Sequence, residues 1–341
     1  MNQKSILELN KFSVSFGMDT SRFTAVNEID LNIEQAKITA LIGESGSGKS
    51  VASQSIARLI PEAMLQGSCW FHSQSEGPID LVQASSKQLI KIRREEIAYI
   101  FQEPMTALNP LIRCGEQIAE SLREDKNRKE QIADLLVKVE LLDHQRIAQA
   151  FPHELSGGQR QRVMIAMALA KEPRLLIADE PTTALDVAIQ NEILKLLKSL
   201  AQSESMAILF ITHDLLSLKN FADHIAVMYK GQIVEKGDEK AVLENAQHPY
   251  TQALMQSRAS YDKKGKQLAE LDELMDGSFK EHALPLEKIK DEILISIRQV
   301  VKWHPVPGFF KRDKTEILKG IDLDIFQGDS FGLIGESGSG K

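Results

Sequence analysis

The sequence contains one octet, Gly43-Glu-Ser-Gly-Ser-Gly-Lys49-Ser50, whose first seven residues occur again at Gly335 to Lys341. It fits the pattern G-x-x-x-x-G-K-[ST], in which backbone N–H groups and the N-terminus of the next helix bind an anion. Residues 37–42 predict a strand before the octet, and residues 49–59 predict a helix after it that ends before Pro61. This order favours a phosphate-binding loop over an ordinary turn rich in Gly and Ser.

Each residue type in the octet suits the binding of a nucleotide phosphate. Glycine adopts positive φ and lets the backbone approach a phosphate without an intervening Cβ. Lys49 provides a positive charge for the β- and γ-phosphates, and the hydroxyl of Ser50 is a ligand that Mg²⁺ accepts. The residues expected to contact the nucleotide here are Gly43, Glu44, Ser45, Gly46, Ser47, Gly48, Lys49, Ser50 and Val51.

The second copy of the octet belongs to a longer internal repeat. Residues 26–49 align without gaps to residues 318–341, with seven identities before the loop and seven within it. The offset, 318 minus 26, is 292 residues, which indicates duplication of a whole domain and not a solenoid period. The second copy lacks the Ser, the following helix and every later motif. We therefore expect residues 292–341 to be a truncated, weakly ordered second domain without activity of its own.

Composition limits the class of protein. The 341 residues suffice for two or three domains, and 43% apolar residues are typical of a globular protein. A formal charge of −7 argues against nucleic-acid binding through bulk charge. Cys69 and Cys114 form no CxxC pair, which fits a reducing compartment. The sequence shows neither a run of 18 apolar residues nor a signal peptide, so we expect a cytoplasmic protein that reaches a membrane through a partner.

The spacing of apolar residues predicts strands that alternate with helices, and hence a parallel α/β sheet. A small β-layer is expected in residues 1–42, and a hairpin is expected in residues 225–235. The predicted helices are 116–122, 128–142, 159–170 and an amphipathic helix with Ile189, Ile193, Leu196, Leu197 and Leu200 on one face; the predicted strands after residue 170 are 175–178 and 206–211.

Further polar residues follow predicted strands. Asp179 and Glu180 follow an apolar strand. There we expect Asp179 to reach the ligand shell of Mg²⁺ and Glu180 to accept a proton from the attacking water. A well-placed general base increases the reaction rate by about 10²–10⁴-fold. The alternative is a strand that ends in a solvated acidic turn. Ser156 and the glycines after it form a second anion-binding helix N-terminus, or else a simple N-cap. His213 and Gln102 also follow strands, and alone each is as compatible with a packed or surface residue.

Together and in this order, these motifs resemble those of the ATP-binding-cassette (ABC) ATPases, over about residues 4–260 and again from near Ile293. The resemblance implies an α/β P-loop NTPase with a RecA-like parallel sheet core, an antiparallel β-layer and an inserted α-helical subdomain at about 103–170. The motifs that carry it are residues 43–50, Gln102, Leu155–Gln159, Asp179-Glu180, Ala184-Leu185-Asp186 and His213.

The resemblance also implies ATP and Mg²⁺ as cofactors, bound between two cassettes that meet head-to-tail. Phe16 resembles the aromatic residue that stacks on adenine, and Phe23 is the alternative; either is otherwise a core or turn aromatic. Asp186 matches a loop that communicates between the two sites. The implied catalytic residues are Glu180, His213, Gln102 and Lys49, the metal ligands are Ser50, Gln102 and Asp179, and the partner cassette contributes Ser156, Gly157, Gly158 and Gln159 in trans.

Two segments resemble the oligopeptide, dipeptide and nickel importers: residues 101–110, and His248-Pro-Tyr-Thr251 followed by a helix. Because no cysteine follows Cys114, the iron–sulfur centre of some relatives is not expected. The tandem layout resembles fused ATPase subunits such as those of microcin C and glutathione importers. The implied function is ATP hydrolysis that powers an importer of peptides or similar small solutes. The alternatives are a soluble non-transport ABC ATPase and an inactive nucleotide-binding fragment without its partner cassette.

The implied partners are a transmembrane permease that contacts the helical segment through a coupling helix, a second cassette that is fused or homodimeric, and indirectly an external solute-binding protein. Nucleic acid is not expected, and the location is the inner face of the cell membrane. The predicted domains are a first cassette at 1–261, a linker at 262–291 and the start of a second cassette at 292–341. Within the linker, Leu268, Leu271, Leu274 and Met275 fit one short docked helix as an alternative.

Overall fold

The computed structural model describes residues 5–17, 22–102, 107–123, 126–183, 185–257, 267, 269–280, 292–306, 313–335 and 339–340. The chain divides into two compact units. The first comprises Met1–Arg258 and Ala269–Phe279, and the second comprises Ala259–Leu268 and Lys280–Lys341. Among the motif residues, 103–106, Ala184, 336–338 and Lys341 lie outside the described residues, and so do 262–266, Leu268 and 281–291 of the predicted linker.

In the first unit, helices lie between the strands predicted at 37–42, 175–178 and 206–211, as the sequence predicts. The strands are β1 (Ser5–Phe16), β2 (Phe23–Glu34), β3 (Ile38–Ile42), β4 (Met64–Ser73), β5 (Gly77–Asp80), β6 (Ile97–Ile100), β7 (Leu175–Asp179), β8 (Ala207–Thr212), β9 (His224–Tyr229) and β10 (Gln232–Asp238). The helices are α1 (Lys49–Ile56), α2 (Ser86–Glu95), α3 (Cys114–Ser121), α4 (Arg128–Lys138), α5 (His144–Gln149), α6 (Gly157–Leu169), α7 (Val187–Ser203), α8 (Glu239–Glu244), α9 (Pro249–Gln256) and α10 (Leu271–Asp276).

A six-stranded sheet in the order β10-β9-β3-β8-β7-β6 forms the centre of the first unit. All its neighbouring strands are parallel except β10, which pairs antiparallel with β9 in the predicted hairpin. Every residue of β3, β7 and β8 is buried. Apart from Thr39, Asp179 and Thr212, their residues are apolar, because both faces of the sheet are covered. The predicted parallel α/β core is confirmed.

The antiparallel β-layer has four strands in the order β2-β1-β4-β5. Of these, only β1 and β2 fall in the predicted residues 1–42, whereas β4 and β5 were not predicted and β3 belongs to the central sheet. The apolar residues of the β-layer share one core with α1, α2 and one face of the central sheet, and α3 to α9 share a second core with the other face. Successive residues of one strand therefore enter different cores, as Leu41 and Ile42 do in β3. This arrangement fixes β3 and the loop that follows it from both sides.

Helices α3 to α6 form the predicted helical segment, within 114–169. The predicted helices at 49–59 and 128–142 end earlier than expected, at Ile56 and Lys138. In each case a non-glycine residue just beyond the helix takes a left-handed conformation, Arg58 at φ 53° and Glu140 at φ 61°, and turns the chain away. The amphipathic prediction for α7 is confirmed, because Ile193, Leu196, Leu197 and Leu200 are buried and Ile189 is half-buried against the core.

The stretch predicted as a linker contains α10, and Leu271 and Met275 of this helix pack against the core of the first unit. The short docked helix is therefore present at 271–276. In the second unit, β11 (Ile293–Val306) and β12 (Asp313–Phe326) form an antiparallel hairpin that corresponds to β1 and β2. Residues 331–334, which match β3 in the repeat, are not in a strand.

Candidate nucleotide-binding site

The loops after β3, β6, β7 and β8 leave the same edge of the central sheet, because these strands are parallel. The carboxyl ends of neighbouring parallel strands form the usual ligand-binding edge of an open α/β sheet. The structure brings together Lys49, Ser50, Gln102, Asp179, Glu180 and His213 at this edge.

The phosphate loop has the backbone conformation that its glycines allow. Gly43, Gly46 and Gly48 have φ values of 155°, 81° and 105°. A Cβ at position 48 would lie 2.7 Å from the carbonyl oxygen of Ala25, so only glycine fits without displacing β2. Gly48 is the N-cap of α1 and provides no side-chain hydrogen bond to it. The first N–H groups of α1 are thus suited to an anion such as a phosphate.

Lys49 lies inside this loop and is 5% exposed. Its Nζ donates to the carbonyl oxygens of Gly43 at 2.8 Å and Glu44 at 2.7 Å. Burial lowers the pKa of Lys49, and the carboxylates of Glu180 and Asp179 oppose that shift. The ammonium group is therefore a buried cation that neighbouring acidic groups keep charged, and such a cation forms strong charge-assisted hydrogen bonds to phosphate oxygens.

Asp179 and Ser50 form the part of the site that fits Mg²⁺. The hydroxyl of Ser50 donates to Oδ1 of Asp179 at 3.1 Å, and the hydroxyl of Tyr99 donates to Oδ2 at 2.9 Å. Burial raises the pKa of Asp179, although both hydrogen bonds act in the opposite direction. A carboxylate, a hydroxyl and the nearby amide of Gln102 are the oxygen ligands that this ion prefers. The donor set therefore fits the predicted metal.

Glu180 is held by three side chains. Gln102 Nε2 and Thr183 Oγ1 each donate to Oε2 at 3.0 Å, and His213 Nδ1 lies 3.2 Å from Oε1. Burial, the largest influence, raises the pKa of Glu180, but the hydrogen bonds from His213 and Thr183 and the nearby charges bring the net pKa below its ordinary value of 4.5. The carboxylate is thus ionised at neutral pH and can accept a proton.

The backbone of Glu180 is also unusual for a glutamate, with φ at 46° in the left-handed region. Its N–H donates to the carbonyl oxygen of Ile211 at 3.0 Å, which ties it to β8. A left-handed conformation costs a non-glycine residue of order 1 kcal/mol and concentrates at functional sites. The fold therefore fixes the direction of this side chain at an energetic cost.

The Ser156 element occupies a different place in the chain. Ser156 is the N-cap of α6, and it exchanges hydrogen bonds with Gln159 in a capping box. No hydrogen bond described for Ser156 or Gln159 reaches the Lys49 and Glu180 cluster. The capping interpretation is confirmed, and the contact of Ser156 to Gln159 with a nucleotide of a second cassette stays a prediction. Asp186 caps α7 by accepting the N–H of Ile189 at 3.0 Å.

The two candidate adenine-stacking residues face each other across the β1–β2 hairpin, because Phe16 pairs with Phe23. Phe16 is half-buried and packs against the core of the β-layer, whereas Phe23 is 66% exposed. Phe23 is also two residues from Ala25, whose carbonyl oxygen abuts Gly48. The geometry therefore favours Phe23, the alternative, over Phe16.

Sequence reasoning missed three residues at this site: Tyr99, Thr183 and Tyr250. Thr183 follows Glu180 by three residues, a spacing from which this hydrogen bond could have been predicted. Tyr99 and Asp179 are 80 residues apart, and Tyr250 and Glu44 are 206 residues apart. The His-Pro-Tyr-Thr stretch at 248–251 pointed to Tyr250 as a family feature, without indicating its contact.

Comparison with known proteins gives consistent results. The ABC transporter family model matches residues 26–183, and the model of the oligopeptide/dipeptide transporter C-terminal region matches residues 234–278. The glutathione import ATP-binding protein GsiA is 38% identical in Salmonella paratyphi A and 37% identical in Escherichia coli K12, over 100% and 99% of this chain. The chain spans 57% of the length of these relatives.

Solved structures of ABC cassettes share the fold. The dimeric structure of MJ0796, a bacterial ABC transporter cassette, is 28% identical with a TM-score of 0.60, and it covers 68% of this chain and 98% of its own. Another dimeric structure of MJ0796 was solved with ADP and Pi bound. The cassette cbiO1 from Clostridium perfringens is 26% identical with a TM-score of 0.61, over 71% of this chain and 92% of its own. The chain therefore belongs to the ABC transporter family, in the branch with the oligopeptide and dipeptide transporter C-terminal region.

Proposed function

We propose that the first unit binds MgATP at the cluster around Lys49 and Glu180 and hydrolyses it to power the import of peptides or similar small solutes. The observation that carries this proposal is the Glu180 carboxylate, which is ionised, oriented by Gln102, Thr183 and His213, and located beside the phosphate loop. The similarity to a glutathione import protein supports a peptide-like solute.

The residues divide the chemistry between them. The loop N–H groups and Lys49 hold the β- and γ-phosphates, and Phe23 stacks on adenine. Ser50, Asp179 and Gln102 hold Mg²⁺, which neutralises phosphate charge when bound. A water molecule attacks the γ-phosphorus as its proton passes to Glu180, and the bond to the bridging oxygen of ADP breaks. His213 keeps the Glu180 carboxylate in place and contacts the γ-phosphate.

The proposed assembly contains two cassettes and a permease. The dimeric structures of MJ0796 support the pairing, in which Ser156 to Gln159 of one cassette close the site of the other. No helix in the described part of the chain is long and apolar enough to cross a bilayer. In the proposed assembly the permease provides the transmembrane path, and this chain lies at the inner face of the membrane. A cavity of about 170 Å³ beside the start of the helical segment is lined in part by Phe101, Leu108 and Met167, and its volume suits one side chain of the permease's coupling helix.

The test is the Glu180→Gln variant of the full chain. It keeps the size of the side chain and removes the base, so we expect ATP binding to persist while phosphate release falls by about 10²-fold or more. Glu244→Gln, at an exposed position on α8, makes the same chemical change as a control. Phosphate release is measured with the chain alone and with a complete second cassette added. Retention of hydrolysis by the Glu180→Gln variant, or lack of ATP binding by the wild type at millimolar concentration, would contradict the proposal.

A further inference from the structure

A buried tyrosine outside the motif set contacts the phosphate loop. Tyr250, on α9 in the C-terminal region, is 0% exposed, and its phenol oxygen accepts the backbone N–H of Glu44 at 3.0 Å. Burial raises the pKa of the Tyr250 hydroxyl, so the phenol stays protonated at neutral pH. The C-terminal region thus reaches directly into the loop that is expected to hold the nucleotide.

Glu44 connects this tyrosine with the loop lysine. Its N–H donates to Tyr250, and its carbonyl oxygen accepts from Nζ of Lys49 at 2.7 Å. One residue of the loop is therefore held at both of its backbone polar groups. Because the Lys49 ammonium follows the Glu44 carbonyl, the position of the Tyr250 hydroxyl helps to determine where the ammonium lies.

Tyr250 is itself held firmly. His248, the N-cap of α9, accepts the N–H of Tyr250 on its Nδ1 at 3.1 Å. Glu235 of β10 accepts the N–H groups of Gln247 at 2.7 Å and His248 at 3.2 Å. The ring of Tyr250 lies 4.2 Å from that of Tyr229. The start of α9 is thus attached to the β9–β10 hairpin.

The same hairpin supports the other side of the loop. The N–H of Gly231 donates to the carbonyl oxygen of Ser47 at 2.9 Å. Leu271 and Met275 of α10 pack against the core that includes Tyr250. The β9–β10 hairpin and α9 therefore hold the phosphate loop. Helix α10 packs against the core that includes α9.

We propose that Tyr250 is a positioning residue for nucleotide binding, which places Lys49 through the backbone of Glu44. The C-terminal region is then a working part of the nucleotide site. This inference rests on the proposed function, since the ligand concerned is ATP.

The test compares two variants of the full chain that each remove one hydroxyl from α9. Tyr250→Phe keeps the ring and loses the hydrogen bond to Glu44. Thr251→Val is the matched control, because Thr251 is also 0% exposed and its hydroxyl has no hydrogen-bond partner among the described residues. Trinitrophenyl-ATP is titrated with and without Mg²⁺, and the thermal midpoint of each variant is measured.

We expect Tyr250→Phe to bind the probe about three- to tenfold more weakly, the effect of one hydrogen bond, and Thr251→Val to bind within about twofold of the wild type. Tyr250→Phe should lower the thermal midpoint by only a few degrees relative to Thr251→Val, because it loses one hydrogen bond and keeps the buried ring. Equal affinity of Tyr250→Phe and the wild type would overturn the inference. A parallel loss in both variants would also overturn it, because it would show a general packing role for α9. Failure of the wild type to bind the probe would refute the proposed function instead.

Discussion

Glu96 is a buried carboxylate at the edge of the central sheet opposite the candidate site, and its removal is the sharpest test of the fold. It is 5% exposed and accepts hydrogen bonds from the Ser73 hydroxyl, from the N–H of Gln74 at 2.8 Å and from the Ser75 hydroxyl at 2.9 Å. Arg174 lies 3.7 Å from it. Glu96 therefore attaches the turn between β4 and β5 to the central sheet.

In Glu96→Gln, an amide group faces donors where the carboxylate accepted them. Hydrogen bonds to charged groups are each worth about 1.5–3 kcal/mol, and one acceptor oxygen remains, so we expect a loss of about 2–3 kcal/mol in the free energy of unfolding. For a unit of this size that loss lowers the thermal midpoint by roughly 5–10 °C. Glu95→Gln makes the same change at the adjacent, half-buried position as a control.

The pH dependence of this difference has a definite sign. Burial, the largest influence, raises the pKa of Glu96, but its hydrogen bonds bring the net pKa below the ordinary 4.5. A depressed pKa stabilises the fold above the unfolded pKa, and that stabilisation is lost as the pH falls through the folded pKa. In urea unfolding, the free energy of unfolding of the wild type should therefore exceed that of Glu96→Gln by the full amount at pH 7, and this difference should narrow below pH 4.5. The affinity for ATP should be the same in both. Equal stability at pH 7 would refute this account of Glu96.

Two further predictions concern the loop and the cysteines. Gly48→Ala should weaken trinitrophenyl-ATP binding by about tenfold or more, because its Cβ would meet the carbonyl oxygen of Ala25. The control is Gly77→Ala, which is also at positive φ but has open space around it. It should cost only about 1 kcal/mol of stability and leave binding unchanged. Burial raises the thiol pKa of both cysteines, that of Cys114 to about 11, so a thiol reagent should label the folded chain far more slowly than the chain in guanidinium. Rapid labelling of the folded chain would contradict the burial of these residues.

Parts of the fold with a strong local signal were predictable from the sequence. Apart from Asp179 and Thr212, the strands β7 and β8 are apolar, and α7 repeats its apolar residues with helical spacing. The strands β4 and β5 gave no such signal, because β4 mixes exposed and buried residues without strict alternation and β5 has only four residues. The early ends of α1 and α4 were also hidden, since Arg58 and Glu140 adopt the left-handed conformation without the glycine that normally marks it.

At the candidate site, the order of the motifs predicted which side chains come together. It did not predict the hydrogen bonds that hold these side chains in place. Asp179 and Glu180 follow a buried strand, so their position was readable from sequence. The hydrogen bonds of Tyr99 and Tyr250 join residues that are far apart in the chain, and only the packed structure shows them. The choice between Phe16 and Phe23 likewise depended on burial, which two aromatic residues in one hairpin do not reveal.

The start of α6 and the start of α7 touch closely. A Cβ added to Gly158 would lie 2.7 Å from Cγ2 of Ile189, and one added to Gly157 would lie 3.3 Å from Cδ2 of Leu185. Leu185 and Ile189 come shortly after Glu180 in the chain, so a shift of the Glu180 loop displaces the Ser156 element with it. If two cassettes pair as proposed, Ser156 to Gln159 of one cassette face the ATP of its neighbour. Their position then depends on the conformation of the ATP site in their own cassette. A bulkier residue at position 157 or 158 would then push α6 away from α7 and disturb this link.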